Sequence, residues 1–422
     1  MRKRLTESSS RAAWGLGDQV FSSATNFGVN ILIARSLGAA SFGAFSIAFT
    51  TYIVFLNLSR AVNTEPLTIR FSDVDDSSWS EATRRASACT LVIGLAGSIV
   101  CGAVGLIASG DLAASFLALA ITLPALLYLD LWRFAFFAQG KGHRAMLTDI
   151  LWAIFMFPAM FWVLASPDVS LFLLVIAWAS SAAVGGIIAA IAWGVRPSFS
   201  KVHQWLRDHR DLTPSFVGEL AAVSSAGQLA LIGIGFLASL AAVGAYRAAY
   251  VLFGPLRVIF QGMTLYGVPE AVRVLRDSPR RLRRATRVGA LVLALVALVY
   301  GMAIMVIPDG WGEFVLGETW ELVDPLVIPF TIGVMGIGLA MPTYIGLRAL
   351  EAAKDAFVAR MIVAGADVAL TLAGAAVGGA VGAAWFGRTT LFLGSGVWWR
   401  SYEVRLRERE AARAGEVAEP VS

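Results

Sequence analysis

Residues 17–48, GDQVFSSATNFGVNILIARSLGAASFGAFSIA, decide the fold because the chain repeats them. Shifted by 201 residues, the stretch aligns without a gap with residues 218–249, GELAAVSSAGQLALIGIGFLASLAAVGAYRAA. Identical pairs include Gly17/Gly218, Ile31/Ile232, Ile33/Ile234, Gly43/Gly244 and Ala48/Ala249. Asp18 aligns with Glu219, so an acid recurs near the start of both copies. The repeat predicts a molecule built from two similar halves.

The composition is that of a membrane protein. Hydrophobic residues make up 57% of the chain and charged residues 15%, with a mean hydropathy of +0.71. Soluble domains carry about 25% charged residues. The pI of about 9.4 would suggest nucleic-acid binding in a soluble protein, but in a membrane protein excess Lys and Arg mark cytoplasmic loops. We therefore expect membrane lipid and no nucleic acid as partner. Cys89 and Cys101 lie in one predicted span, which excludes a disulfide between them.

Apolar segments of about 20 residues predict twelve membrane spans. They lie at 12–36, 42–63, 86–108, 112–136, 146–166, 170–194, 214–237, 242–268, 287–307, 324–347, 356–376 and 378–399. We expect an all-α polytopic membrane protein of about 12 transmembrane helices, in two six-helix lobes related by a parallel internal repeat. The predicted domains are an N-terminal lobe at 1–195, a cytoplasmic linker at 196–213, a C-terminal lobe at 214–400 and a cytoplasmic tail at 401–422.

Basic residues orient the predicted spans. With the N-terminus inside, the outer loops contain no Lys or Arg, whereas segment 271–288 on the inner side carries seven arginines. The positive-inside rule therefore predicts a multi-pass protein of the cytoplasmic membrane with both termini in the cytoplasm. In the linker, Trp205 and Leu206 stand among charges, which predicts a helix at the membrane interface.

Polar residues form stripes on the first two predicted spans. At about 100° of rotation per residue, the stripe of span one holds Asp18, Ser22, Thr25 and Asn26, and that of span two holds Thr50, Asn57, Arg60 and Thr64. Charged groups within a span usually line a cavity or meet a partner. The stripes therefore predict two walls of a water-filled cavity.

The turn between these spans carries a resemblance to a known family. Ala34, Arg35, Leu37, Gly38, Phe42 and Gly43 resemble the first hairpin of the multidrug/oligosaccharidyl-lipid/polysaccharide exporter superfamily. Residues 316–333 and 347–368 resemble stretches around its helices ten and eleven. The pattern is most similar to the oligosaccharide flippase (Wzx-like) branch of polysaccharide-export proteins. Lipid II flippases of the superfamily typically have fourteen spans, which counts against that branch.

The resemblance implies a transporter rather than an enzyme. Flippases of this branch move a lipid-linked oligosaccharide or polysaccharide precursor of the cell envelope across the membrane, through a cavity between two lobes. The implied partners are an anionic polyprenyl-linked sugar, membrane lipid and other polysaccharide-assembly proteins. Two alternatives stay open, a cation-coupled multidrug exporter of the same superfamily and a membrane sugar-lipid enzyme.

Arginines within the predicted spans are candidate ligands for the phosphates of such a cargo, because a guanidinium forms a planar fork for phosphate oxygens. Arg60 and Arg257 are the first candidates, and Arg35 and Arg388 complete the predicted cavity set with Asn26 and Asn57. Local explanations compete with this role. Arg133 has Asp130 one turn away, Arg388 has Asp367 on the preceding span, and Arg35 and Arg247 lie near the outer surface and could snorkel.

Asp18 and Glu219 are candidates for ion coupling or a gate contact. The resemblance supports this role, because multidrug exporters of the superfamily are expected to use an acid in helix one. The competing explanation is structural, since both acids are predicted near helix N-termini, where the macrodipole favours a negative charge.

No metal or catalytic constellation is apparent in the sequence. The three histidines, His143, His203 and His209, fall in predicted cytoplasmic loops. No phosphate-binding glycine loop is present, so ATP is not expected as the direct energy source. We expect no cofactor, no metal site and no catalytic residue.

Overall fold

The structure is a computed structural model. It describes the backbone of residues 2–72 and 74–418, and the side chains of residues 14, 17–72, 74–214, 216–218, 226–260, 263 and 267–411. This part of the chain contains helices and no strand.

Fourteen α-helices follow one another in the described residues. They are α1 (Arg2–Ser59), α2 (Glu65–Arg70), α3 (Asp76–Ile107), α4 (Gly110–Ala138), α5 (Gly142–Leu164), α6 (Leu171–Ala192), α7 (Val202–Asp208), α8 (Thr213–Leu237), α9 (Leu240–Leu252), α10 (Gly254–Asp277), α11 (Pro279–Met305), α12 (Asp309–Leu316), α13 (Thr319–Ala349) and α14 (Ala353–Ala418). A π-helical turn at Arg60–Thr64 joins α1 to α2, and a short 3₁₀ turn at Phe199–Lys201 precedes α7.

Eight helices in the described residues are long and apolar enough to cross a membrane, or nine if α9 and the start of α10 form one span bent by 47°. Two of the eight, Gly17–Arg70 and Ala353–Ala411, are 54 and 59 residues long, against about 20 for one crossing. Each contains a break, at Gly38 and at Gly378–Gly379. Each predicted span therefore falls on a helical segment, and the predicted fold class is confirmed.

The break in the first hairpin recurs at the matching position of the repeat. Gly38 has φ 73° and ψ 173°, a region that glycine alone adopts without strain. Its counterpart 201 residues later is Ser239, which separates α8 from α9 in an extended conformation and accepts a hydrogen bond from the Ala242 N–H at 3.1 Å. Both halves therefore turn at the same place, one through glycine and the other through a serine N-cap.

The chain divides into two compact units, Met1–Gln228 and Leu229–Ser422. The division falls inside α8, and the domain limits expected from the sequence stay predictions. In the first unit a core forms around Trp79, Trp132 and Phe136. Trp205 of the linker belongs to it, because its indole N–H donates to the Val62 carbonyl at 3.2 Å and the residue is 1% exposed. The predicted helix is therefore present, with Trp205 packed on the protein, and its place at the membrane interface stays a prediction.

The second unit packs α13 against α11 and α14. At Gly336 the backbone of α13 approaches that of α14 so closely that a Cβ there would lie 2.6 Å from Phe392 N. At the far end of α14, Tyr402 is fully buried and its hydroxyl accepts from the Thr286 hydroxyl of α11 at 3.1 Å. Small residues at helix crossings allow this close approach where no hydrophobic effect drives helices together.

Candidate functional site

The first unit buries an ion-pair cluster centred on Arg133 of α4. Its Nη2 lies 2.5 Å from Asp18 Oδ2 of α1, its Nε lies 3.1 Å from Asp149 Oδ1 of α5, and its Nη1 lies 3.5 Å from Asp130 Oδ1. Three helices thus bring a carboxylate to one guanidinium. Asp18 and Asp149 are 1% and 2% exposed.

Arg60 joins the same cluster through Asp130. Its Nη2 lies 2.6 Å from Asp130 Oδ1 and its Nε donates to Asp130 Oδ2 at 2.9 Å, a bidentate pair. The guanidinium also lies over the Phe134 ring, 5.1 Å from its centroid. Arg60 opens the π-helical turn Arg60–Thr64, and such local widenings of a helix are frequent at functional sites.

The cluster holds more acids than bases. Three carboxylates, Asp18, Asp130 and Asp149, meet two guanidiniums, Arg60 and Arg133. Asp18 Oδ1 lacks a hydrogen-bond partner among the described residues, and Asp149 is held by its ion pair with Arg133. A surplus negative charge in an apolar bundle is costly, and binding of one proton or one monovalent cation would neutralise it.

The structure contradicts the capping explanation for Asp18. Helix α1 begins at Arg2, so Asp18 lies well beyond the first turn, where the macrodipole acts. Its position is instead explained by the ion pair with Arg133. The side chain of Glu219, its counterpart in α8, lies outside the described residues, and the predicted role of Glu219 stays a prediction.

Two asparagines of α1 donate hydrogen bonds to the backbone of their own helix. Asn26 Nδ2 donates to the Ser22 carbonyl at 2.9 Å, and Asn30 Nδ2 donates to the Asn26 carbonyl at 2.7 Å. Asn57 is half-buried on the second segment of α1. Their predicted place in a cavity stays a prediction.

The second unit buries a smaller cluster around Arg388 of α14. Its Nη2 donates to the Tyr246 hydroxyl at 2.5 Å and lies 3.8 Å from Asp367 Oδ1. Its guanidinium also lies 5.1 Å from the centroid of the Phe330 ring. The pairing with Asp367 that the sequence offered as the local explanation is therefore present, with Tyr246 as an additional partner.

Two other arginines of the second unit contact the ring of Tyr250 where α9 bends into α10. The Arg257 guanidinium lies 4.2 Å from the Tyr250 ring centroid and that of Arg247 lies 5.5 Å from it. No ion pair joins Arg257 to any acid in the described part of the chain. The Tyr300 hydroxyl donates to the Leu252 carbonyl at 2.8 Å and supports the bend. Arg35, of the first unit, is exposed just before the Gly38 break.

Within the described residues, no group of three or more His, Cys, Asp or Glu side chains could hold a metal ion. In the first unit, the centre of the three carboxylates is occupied by Arg133 itself.

Solved transporters share this fold. An inward-facing multidrug resistance MATE family transporter of the MOP superfamily matches with a TM-score of 0.71 at 13% identity, over 93% of this chain and 96% of that chain. The lipid II flippase MurJ, in an inward closed conformation, matches with 0.70 at 11% identity, over 92% and 86%. The Vibrio cholerae MATE transporter VcmN in its bent form matches with 0.51 at 16% identity, over 96% and 98%. No protein-family model and no curated protein matches the chain by sequence.

At these sequence identities the likeness establishes the fold. The chain is a multi-pass helical membrane protein with the fold shared by MATE transporters and the MurJ flippase of the MOP superfamily. The resemblance noted in the first hairpin is confirmed at this level, and the oligosaccharide branch within it stays a prediction.

Proposed function

We propose that the protein is a transporter that flips a lipid-linked oligosaccharide or polysaccharide precursor across the cytoplasmic membrane by alternating access. The fold supports the transporter class, and the arginine pair of the second unit supports an anionic cargo. In this proposal both termini are cytoplasmic, and the protein works beside other polysaccharide-assembly proteins.

The observation that supports this cargo is that Arg257 and Arg247 both contact the Tyr250 ring. Arg60, Arg133 and Arg388 already hold carboxylates, whereas Arg257 has no ion pair with a described acid. A guanidinium without a carboxylate is available for phosphate oxygens, which it binds with two parallel N–H donors. We therefore assign the phosphate of the cargo first to Arg257, with Arg247 beside it.

The bend next to Arg257 fits this role. Pro255 cannot donate a backbone hydrogen bond, so the helix breaks between α9 and α10. Irregular backbone at membrane depth is tolerated where it is buried in protein or lines a cavity. The remaining members of the predicted cavity set, Arg35, Arg60, Arg388, Asn26 and Asn57, are kept as further candidates.

The surplus acid of the first unit supports ion coupling through Asp18, with Asp149 as a second member that the sequence did not single out. Uptake of one cation would leave three positive and three negative charges in the cluster. The carboxylates come from three helices. Neutralising the surplus charge would therefore change the ion pairs that connect these helices.

A cation-coupled multidrug exporter is the second candidate, favoured by the surplus negative charge of the first unit. The two functions differ in the charge of the cargo. A cationic drug would be repelled by Arg257, whereas a diphosphate would be attracted. A sugar-lipid enzyme gains no support from the clusters found.

Binding to the purified protein in detergent tests the proposed cargo. A polyprenyl-diphosphate sugar should bind at least tenfold more weakly to Arg257→Gln, because charge-assisted hydrogen bonds contribute about 1.5–3 kcal/mol. Arg257→Lys should bind the sugar with an affinity between those of wild type and Arg257→Gln. The control Arg210→Gln, which removes an exposed charge in the linker, should bind as wild type does. Equal binding by Arg257→Gln and wild type would remove the site assignment.

A further inference from the structure

One face of α11 changes from arginines to aliphatic residues along a single line. Exposed residues recur every three or four positions, which places them on the same side of the helix. The line runs through Arg280, Arg284 and Arg287, then Val288, Leu291, Val292, Leu295 and Val299. Leu291 is 67% exposed, as expected for a side chain that contacts lipid. This face of α11 therefore passes from the lipid hydrocarbon to the headgroup region near Arg287.

Beside this line, α14 neutralises two arginines of the same helix. Arg283 Nη2 donates to Glu410 Oε2 at 2.9 Å and its Nε donates to Glu403 Oε2 at 3.1 Å. Arg287 Nη2 also reaches Glu403 Oε1 at 3.2 Å. These contacts hold Arg283 and Arg287 against α14, whereas Arg280 and Arg284 are exposed.

No described acid compensates the charges of Arg280 and Arg284 on the exposed side of α11. Both are exposed, and no ion pair joins either of them to an acid that the structure describes. Their neighbour Arg281 has one exposed contact, 3.7 Å from Asp277 Oδ2, and such pairs contribute little. The face thus combines uncompensated guanidiniums with an adjoining apolar stripe.

We propose that Arg280 and Arg284 bind the headgroup phosphate of an anionic phospholipid whose acyl chains run along Val288, Leu291 and Val292. The two arginines are one turn apart, about 6 Å along the axis, so both can reach one phosphate group. Charge complementarity selects the occupant, because the cytoplasmic leaflet carries anionic lipids that attract basic residues beside a membrane helix. The site is separate from Arg257; it rests on the proposed orientation of the protein in the membrane and not on the proposed cargo.

Native mass spectrometry of the full-length protein tests the site. Wild type should retain phosphatidylglycerol in preference to phosphatidylcholine. Arg280→Gln/Arg284→Gln should weaken retention by on the order of 25-fold, since one basic residue near an anionic surface is worth about 5-fold in affinity. The matched control is Arg207→Gln/Arg210→Gln, which removes two exposed charges from α7 and the turn after it and should retain phosphatidylglycerol as wild type does.

Competition experiments distinguish a phospholipid headgroup from other sources of phosphate. Retention of phosphatidylglycerol by Arg280→Gln/Arg284→Gln at the wild-type level would overturn the proposal, as would displacement by soluble glycerol phosphate. Displacement by a polyprenyl diphosphate at much lower concentration would instead identify a cargo-entry site and also overturn it. Arg280→Lys/Arg284→Lys keeps both charges without the planar fork, and intermediate retention by this folded variant would support the lipid site.

Discussion

Arg133 Nη2 lies 2.5 Å from Asp18 Oδ2 and joins two helical segments that are 115 residues apart in sequence. Through its contact with Asp149, the same guanidinium also holds α5. One arginine therefore ties together three segments of the first unit. Arg133 is both a structural centre and the only cation within reach of Asp18 and Asp149 among the described residues.

Replacing Arg133 should destabilise the protein more than replacing any of its acids. Arg133→Gln leaves three buried carboxylates with Arg60 alone, and breaking a buried ion pair from one side typically costs about 3–5 kcal/mol. We expect a lower thermal unfolding temperature in detergent. Adding Asp18→Asn in the Arg133→Gln background should recover part of the loss, because it removes one orphaned charge. An unfolding temperature of Arg133→Gln equal to that of wild type would contradict this role.

Coupling to an ion gradient should depend on the surplus carboxylate. Asp18→Asn and Asp149→Asn each balance the cluster at two acids and two bases. In vesicles with an imposed pH gradient, we expect both variants to lose the dependence of transport rate on the gradient. Asp208→Asn, an exposed acid in the linker, serves as the control and should keep it. Gradient dependence that persists in both cluster variants would exclude coupling at this place.

Adding a methyl group at Gly336, where α13 contacts α14, should destabilise the protein. Gly336→Ala would place a Cβ 2.6 Å from Phe392 N, and forcing extra atoms into a packed interface costs about 1–3 kcal/mol. Gly365→Ala on α14 meets nothing within 4 Å and is the matched control. Thermal unfolding should separate the two variants. Equal unfolding temperatures would mean that α13 and α14 can move apart at Gly336 without loss of stability.

Docking of the linker should weaken in mild acid. Burial lowers the pKa of His209, whose Nδ1 lies 2.9 Å from the Trp205 carbonyl oxygen. Its charged neighbours are Arg70, Asp208 and Asp211. The ordinary pKa of a histidine is about 6.5. When folding lowers that pKa, the folded state is most stable at pH values above about 6.5 and loses stability as the pH falls below that value.

Hydrogen exchange can measure this effect. Amide protection across residues 199–212 should be lower at pH 5.5 than at pH 7.5, after correction for intrinsic exchange rates. His209→Gln should remove the difference while leaving the Trp205 indole contact in place. A difference of the same size in His209→Gln would assign it to another group.

The fold could be predicted from the sequence because hydropathy and the repeat act over local stretches. The 201-residue offset placed Gly38 opposite Ser239, and both positions break a helix in the structure. The position of Trp205 could not be predicted, since an amphipathic segment can bury its aromatic residue in lipid or in protein. Here the indole N–H of Trp205 donates to the Val62 carbonyl, and the ring is buried in protein.

The site was only partly predictable because its pairs are distant in sequence. Asp130 was proposed as the partner of Arg133, yet it binds Arg60 more closely, across 70 residues. Asp149 was missed, although a count of charges inside the predicted spans of the first half would have included it. No local pattern predicts which helices bring such charges together, since that depends on tertiary packing.

The most direct test of the central claim is movement of a fluorescent polyprenyl-diphosphate oligosaccharide across proteoliposomes that contain the purified protein. Wild type should expose the reporter on the opposite leaflet faster than protein-free vesicles, and Arg257→Gln should slow this step about tenfold or more. A reporter with an uncharged headgroup should move no faster than in protein-free vesicles. No movement of the diphosphate reporter above the protein-free rate, together with export of a cationic dye, would contradict the account.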